Sequence, residues 1–128
     1  MSTLRIFWVD GIPATKGSWR VHRGKLRPDN AKERPWANAV AWCAKRAGIE
    51  LVDGPVHVLI ECFYPRPKKP THPFPSRNDV DKAARSCLDA LTGIAWRDDQ
   101  QVVDLRVTKA YATDKGPGAW IRIETRAA

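Results

Sequence analysis

The chain has 128 residues and a formal net charge of +8, from 22 Lys and Arg against 14 Asp and Glu. That length fits one domain, and the surplus of cations favours a polyanionic partner such as nucleic acid, because binding releases the counterions of the polyanion. No apolar run approaches the roughly 20 residues of a membrane span, and the N-terminus lacks the apolar core of a signal peptide. We therefore expect a single cytoplasmic domain over residues 1–128 that does not contact membranes.

Cysteine and histidine are spread in a way that does not indicate zinc binding. The cysteines lack C-x-x-C spacing and lie in apolar segments, where a small hydrophobic side chain also fits. The histidines lie far apart in different segments, so we assign none of them to metal binding or acid–base work. We expect buried free thiols at Cys43, Cys62 and Cys87.

The first half of the chain predicts two strands and a helix. Residues 4–9 alternate as a strand does, with Leu4, Ile6 and Trp8 on one face. A basic arm follows, in which the turn at 23–24 could close a small hairpin. Proline at the start and glycine just past the end predict a helix over 35–47, and residues 56–64, apolar on both faces, predict a strand inside a sheet.

The second half begins with a segment that cannot form a regular element. Residues 65–75 contain five prolines, which fix φ and remove amide donors, so we expect a proline-rich loop. An apolar stripe predicts a helix over 79–91, with Asp79 as N-cap. Alternation predicts two further strands, over 103–109 and 120–125, joined as a hairpin by the turn at 114–118. This order predicts an α+β fold in which a mixed β-sheet packs against two main helices.

Four aspartates flank the second predicted helix. Asp79 and Asp81 lie at its start, where an extended or bent chain lets both reach one ion. Asp98 and Asp99 follow its end, and to reach the same ion the start of the next strand must fold back toward the helix N-terminus or be reached through the sheet. Carboxylates without His or Cys suit Mg²⁺ or Mn²⁺. An acidic pocket in a basic chain is typical of enzymes that hydrolyse phosphodiesters. Taken one at a time, the acids also have structural explanations: Asp79 as an N-cap, Asp81 as an acid in the first helical turn, and the other two as turn residues.

Three motifs follow one another between residues 77 and 109: Asn78-Asp79-Val80-Asp81-Lys82, Leu88-Asp89-Ala90-Leu91-Thr92-Gly93 and Asp98-Asp99-Gln100-Gln101-Val102-Val103. Together they resemble the RusA family of Holliday junction resolvases, common in bacteria and their phages. The resemblance implies a RusA-like fold and a homodimeric, Mg²⁺-dependent endonuclease that cuts four-way DNA junctions by paired nicks, in recombination and repair. We expect Mn²⁺ to substitute for Mg²⁺, and we expect no small-molecule cofactor.

The resemblance also implies roles for individual residues. Asp79, Asp81 and Asp99 match the essential carboxylates that we expect to bind the metal, with Asp98 as the fourth acid. Arg85 stands where the family has a catalytic lysine. Because arginine can hold a phosphate but hardly donates a proton near neutral pH, Lys82, one turn earlier, is a candidate to share that duty.

Cations elsewhere are candidates for DNA contacts. We expect Lys82, Arg85 and Lys109 to hold the scissile phosphate. The basic arm and the proline-rich loop are expected to bind phosphates of the junction arms, so that branched shape is recognised more than base sequence. Their candidate residues are Lys16, Arg20, Arg66, Lys68, Lys69 and Arg77. Among the aromatic residues, Trp19 and Trp96 could stack on bases, and Phe74 could wedge into a junction or only pack on proline.

Two other functions fit the same sequence. In one, the protein is a basic nucleic-acid-binding module without catalysis, and the aspartates cap a helix and order loops. In the other, it is a metal-dependent nuclease with a different branched-DNA or RNA preference. The near two-fold symmetry of a four-way junction, which needs two cuts, favours a resolvase that is a dimer with two sites.

Overall fold

The computed structural model describes residues 2–15, 19–22, 25–28 and 33–126, and for 19–22, 25–28 and 33 it describes the backbone only. The predicted elements form close to their expected bounds, with a short 3₁₀ helix at Asp99–Gln101 in addition. The strands and helices are β1 Thr3–Asp10, β2 Trp19–His22, β3 Lys25–Pro28, α1 Glu33–Arg46, β4 Val56–Tyr64, α2 Val80–Leu91, β5 Val102–Tyr111 and β6 Gly118–Thr125.

Four strands form one mixed sheet in the order β1-β6-β4-β5. β6 is antiparallel to both β1 and β4, whereas β4 and β5 are parallel and are connected through α2. β2 and β3 pair antiparallel as a separate hairpin, as the basic arm predicts, and the turn residues 23–24 lie outside the described part of the chain.

The predicted hairpin between β5 and β6 is wrong. Both strands pair with β4, on its opposite edges. β4 alternates buried and half-buried side chains along its whole length, as a central strand does. Residues 112–117 cross from one side of β4 to the other, a distance of about 10 Å between next-nearest strands. Alternation in β5 and β6 is the same whether or not the two strands are neighbours.

Both helices pack on one face of the sheet. Their buried side chains, among them Trp36, Val40, Cys87 and Leu91, form one core with Val9 and Ile60 of the sheet. On the opposite face, Leu4, Ile6 and Trp120 are exposed. The α+β architecture with a mixed sheet and two main helices is therefore confirmed. No helix in the described residues has the length and apolarity to cross a bilayer.

One tryptophan differs from its predicted environment. Trp96 is fully buried and its Nε1 donates a hydrogen bond to Thr92 Oγ1 at 3.1 Å, so the expected stacking on exposed bases is wrong. The chain reverses tightly after α2, which turns this ring inward onto the core. Trp42 in α1 is exposed under the Arg46 guanidinium. The side chain of Trp19 lies outside the described residues.

The cysteines are free, as predicted. Cys62 and Cys87 are buried in the core, and Cys43 is half-buried. Burial raises the pKa of the Cys62 thiol from 9.0 to about 12, and burial does the same for Cys87. Both thiols are therefore protonated at neutral pH.

Candidate active site

The start of α2 presents two aspartates to solvent. Asp79 occupies the N-cap position with extended backbone (φ −79°, ψ 132°), yet its side chain makes no capping hydrogen bond. Asp81 lies in the first turn and has no hydrogen-bond or ion-pair partner within the described part of the chain. Among the described cations, Lys82 pairs with Asp79, with its Nζ 3.9 Å from Asp79 Oδ2. Neither carboxylate thus caps the helix, and the positive end of the helix dipole favours both.

Lys109 fixes the backbone just before Asp79. Its Nζ donates a 2.6 Å hydrogen bond to the carbonyl oxygen of Asn78 and is partly buried. This bond connects the end of β5 to the start of α2. That the same ammonium also holds the scissile phosphate stays a prediction.

The second pair of aspartates precedes β5, in the 3₁₀ turn. Asp98 Oδ1 accepts a hydrogen bond from the Gln100 N–H at 2.9 Å and caps that turn. Asp99 is exposed, and its carboxylate has no hydrogen-bond or ion-pair partner among the residues described. Within each pair, therefore, at least one carboxylate is left for an external ligand.

Gln101 holds this turn against the segment before β4. Its Oε1 accepts the N–H groups of Arg97 and Asp98 at 2.9 and 3.3 Å, and its Nε2 donates to the carbonyls of Val52 and Gly54 at 2.9 Å each. No role was predicted for this side chain. An acid followed three residues later by glutamine is the spacing of a capping box, and that signal could have identified it.

The two pairs lie at opposite ends of α2. Its twelve residues span about 18 Å at the helical rise of 1.5 Å. Asp79 is near Lys109 at the end of β5, whereas Asp98 and Asp99 precede Val102, which pairs with the start of β4. Among the described residues, no three His, Cys, Asp or Glu side chains are close enough together to hold a metal ion.

The expectation that Asp99 folds back to the helix N-terminus is therefore wrong for a single chain. β5 is parallel to β4, so α2 has to run back along the sheet before β5 can begin. This return places the end of α2 and the start of β5 at the end of the sheet far from Asp79, where β4 and β5 begin. Asp98 and Asp99 instead line a surface groove with Asp89 and Thr92.

Between the two pairs, α2 exposes further charged residues. Lys82 and Arg85 are exposed on the helix that carries Asp81, with Arg85 near its middle. Two of the three cations expected to hold the scissile phosphate thus lie on the same helix as Asp81.

The proline-rich loop is irregular, as predicted, and is held by Tyr111 at the end of β5. Tyr111 Oη donates to the carbonyl oxygens of His72 and Phe74, at 3.0 and 2.9 Å. Phe74 is half-exposed, with the Lys109 Nζ 5.9 Å from its ring centroid.

The predicted DNA-contacting cations divide into two groups. Those of the loop, Arg66, Lys68, Lys69 and Arg77, are exposed. Lys16 lies outside the described residues, and of Arg20 the structure describes only the backbone, in β2.

Comparison with known proteins decides the family. A family model described as endodeoxyribonuclease RusA matches residues 10–124, which include both aspartate pairs. The chain belongs to the RusA family. The predicted resemblance is therefore confirmed, and the protein is by family an endodeoxyribonuclease, a class of phosphodiester hydrolases. RusA nucleases generally depend on a metal ion.

Curated relatives cover most of the chain. The crossover junction endodeoxyribonuclease RusA of Escherichia coli K12 is 32% identical over 106 residues, 81% of each chain. The protein of that name from Shigella sonnei is 31% identical over the same length. An uncharacterized protein of Bacillus subtilis strain 168, YqaN, is 29% identical over 133 residues, 91% of this chain and 94% of its own.

Proposed function

We propose that this RusA protein resolves four-way DNA junctions by paired nicks, acting as a homodimer with Mg²⁺ at each site. Asp79, Asp81 and Asp99 bind the metal, and Asp98 holds Asp99 in place. The observation that carries the proposal is an exposed aspartate pair toward each end of one helix, in which Asp81 and Asp99 have no partner among the described residues. Relatives that are named crossover junction endodeoxyribonucleases support the substrate.

A second copy of the chain completes each site. Mg²⁺ binds oxygen at about 2.1 Å, so carboxylates at opposite ends of a helix about 18 Å long cannot share one ion. A two-fold axis across the middle of α2 sets the start of one helix beside the end of the other. Asp79 and Asp81 then face Asp99 of the partner subunit, and the same contact is made twice.

The surface beside α2 supports this arrangement. β5 is an edge strand of the sheet, and near the end of α2 it exposes Val103 and Leu105. An exposed edge with large apolar side chains is a ready surface for pairing with a second copy. Two identical sites related by a two-fold axis match a substrate that has to be cut twice symmetrically.

In such a site the metal supplies a water of lowered pKa and neutralises charge that develops on the phosphate. Arg85 holds non-bridging phosphate oxygens through its planar guanidinium, and Lys82 adds a second positive charge next to Asp79. The cations of the proline-rich loop hold the neighbouring backbone phosphates and so fix the position of the DNA strand.

Cleavage of a labelled four-way junction in Mg²⁺ tests the function. We expect wild-type protein to make paired nicks and Asp81→Asn to bind the junction without cutting it. Asp114→Asn, in the exposed turn before β6, is the matched control and should cut normally. Binding without nicks by the wild type would support the non-catalytic module, and faster cutting of forks or RNA hairpins would support a different nuclease.

A further inference from the structure

A cavity lies beneath the proline-rich loop, and none of the aspartates lines it. It measures about 540 Å³ and is bounded by the loop, by Tyr64 at the end of β4 and by Tyr111 at the end of β5. Asn78, the residue before Asp79, forms part of its wall. Whatever occupies this cavity is therefore immediately beside the first aspartate pair.

The walls combine apolar surfaces with positive charge. Three prolines and the two tyrosines give flat apolar contact, whereas Lys69 and Arg77 provide cations and Thr71 and Ser76 provide hydroxyls. No Asp or Glu is among the described residues that line the cavity. A flat apolar wall and a cationic rim suit a nucleotide, because its base stacks and its phosphate is an anion.

The cavity is held open by hydrogen bonds at two points of the loop. Tyr111 Oη fixes the carbonyls of His72 and Phe74, and Lys109 Nζ fixes that of Asn78. The volume falls within the roughly 300 to 1,000 Å³ of small-molecule sites and exceeds what an amino-acid side chain needs. Such a cavity does not require the loop to rearrange before a ligand enters.

We propose that this cavity takes one unpaired nucleotide next to the scissile phosphate of the DNA. Inside a duplex a base has to be unstacked and unpaired before it can enter a protein pocket, and both steps cost free energy. At a branch point the continuous stacking of the duplex is already interrupted, so a nucleotide there leaves the helix at less cost. The pocket would thereby select branched DNA over duplex. This inference rests on the proposed function, since it needs a cleaved branched substrate.

Junctions with one abasic nucleotide, placed in turn at each position flanking the cut, test the proposal. We expect wild-type cleavage to fall about tenfold at one position, which is the loss expected when one stacked base is removed. Thr71→Trp, which fills the cavity, should cut the intact junction about tenfold more slowly and should not respond further to the abasic nucleotide. Thr113→Trp, on an exposed segment after β5, is the matched control and should behave as wild type.

Binding gives a readout without catalysis. The base analogue 2-aminopurine at the sensitive position should change fluorescence when Asp81→Asn protein binds, and should not change when Thr71→Trp is added to that variant. The proposal would be overturned if wild-type protein cut intact and abasic junctions equally fast. It would also be overturned if the fluorescence change were the same with and without Thr71→Trp. Failure of wild-type protein to cut even the intact junction would instead overturn the proposed function.

Discussion

The two neighbouring aspartates of the 3₁₀ turn use their carboxylates differently. Asp98 accepts the Gln100 N–H and closes the turn, whereas Asp99 is exposed without a partner among the described residues. A capping group is worth about 1 kcal/mol in stability, and a free carboxylate contributes little to it. We therefore infer that Asp99 is the metal ligand of this pair and that Asp98 acts through the backbone.

Alanine variants separate the two roles. Asp98→Ala should lower the free energy of unfolding by about 1 kcal/mol and reduce nicking moderately. Asp99→Ala should leave stability within about 0.5 kcal/mol and reduce nicking roughly 10²- to 10³-fold, the scale of losing one preorganised electrostatic group. Urea unfolding and Mg²⁺-dependent nicking measure the two effects. The reverse pattern would assign the metal to Asp98.

The buried thiols make stability depend on pH. Folding raises the pKa of Cys62 and Cys87 from 9.0 to about 12, so between these values the native state retains protons that the unfolded chain has lost. The contribution of the buried thiols to the free energy of unfolding is therefore fully present below about pH 9. It falls as the pH rises toward 12, by up to about 1.4 kcal/mol per thiol and pH unit.

Unfolding by urea over this alkaline range tests the effect. The wild-type free energy of unfolding should fall more steeply with pH than that of the Cys62→Ala/Cys87→Ala variant. The difference between the two slopes removes the contribution of groups that titrate alike in both proteins, such as the lysines. Parallel slopes would mean that the thiols are solvated in the native protein.

At the scale of elements, the connection between α2 and β5 depends on Gln101. Its amide makes four hydrogen bonds that tie the Asp99 turn to the segment before β4. Gln101→Ala should destabilise the protein by roughly 1 to 3 kcal/mol, because partly buried backbone groups lose their partners.

The same variant should also raise the Mg²⁺ concentration for half-maximal nicking by about 10- to 100-fold, the effect typical of losing a group that orients a metal ligand. Gln100→Ala, at the exposed neighbouring position, is the control and should change neither quantity. A Gln101→Ala enzyme with unchanged Mg²⁺ dependence would show that the turn does not position Asp99.

Most elements could be predicted from sequence because their signals are local. β4 could be predicted because its residues are apolar on both faces, and α2 because Asp79 and Gly93 mark its ends. Both predictions used only residues that are neighbours in the sequence. The β5–β6 hairpin and the place of Asp99 were predicted wrongly because both depend on strand pairing far along the chain. Alternation shows which face of a strand is buried and does not show which strand lies beside it.

At the scale of the whole molecule, the connection of β4 to β5 through one helix decides the site. Parallel pairing places the two carboxylate pairs at opposite ends of β5, and within the described residues neither pair is joined by a third metal-binding side chain. In the dimer that we propose, with α2 near the two-fold axis, the two pairs of each chain become halves of two complete sites. The net charge of +8 favours the attraction of DNA to this dimer.

Mixing two inactive variants tests this arrangement most directly. Asp81→Asn and Asp99→Asn should each be inactive alone, because every site in either homodimer lacks one ligand. If each site is built from both chains, a mixed dimer contains one site with both substitutions and one site with none. Co-expressed chains should therefore recover nicking at about one quarter of the wild-type rate, with single rather than paired nicks. Variants that form mixed dimers and remain inactive would contradict a site shared between two copies.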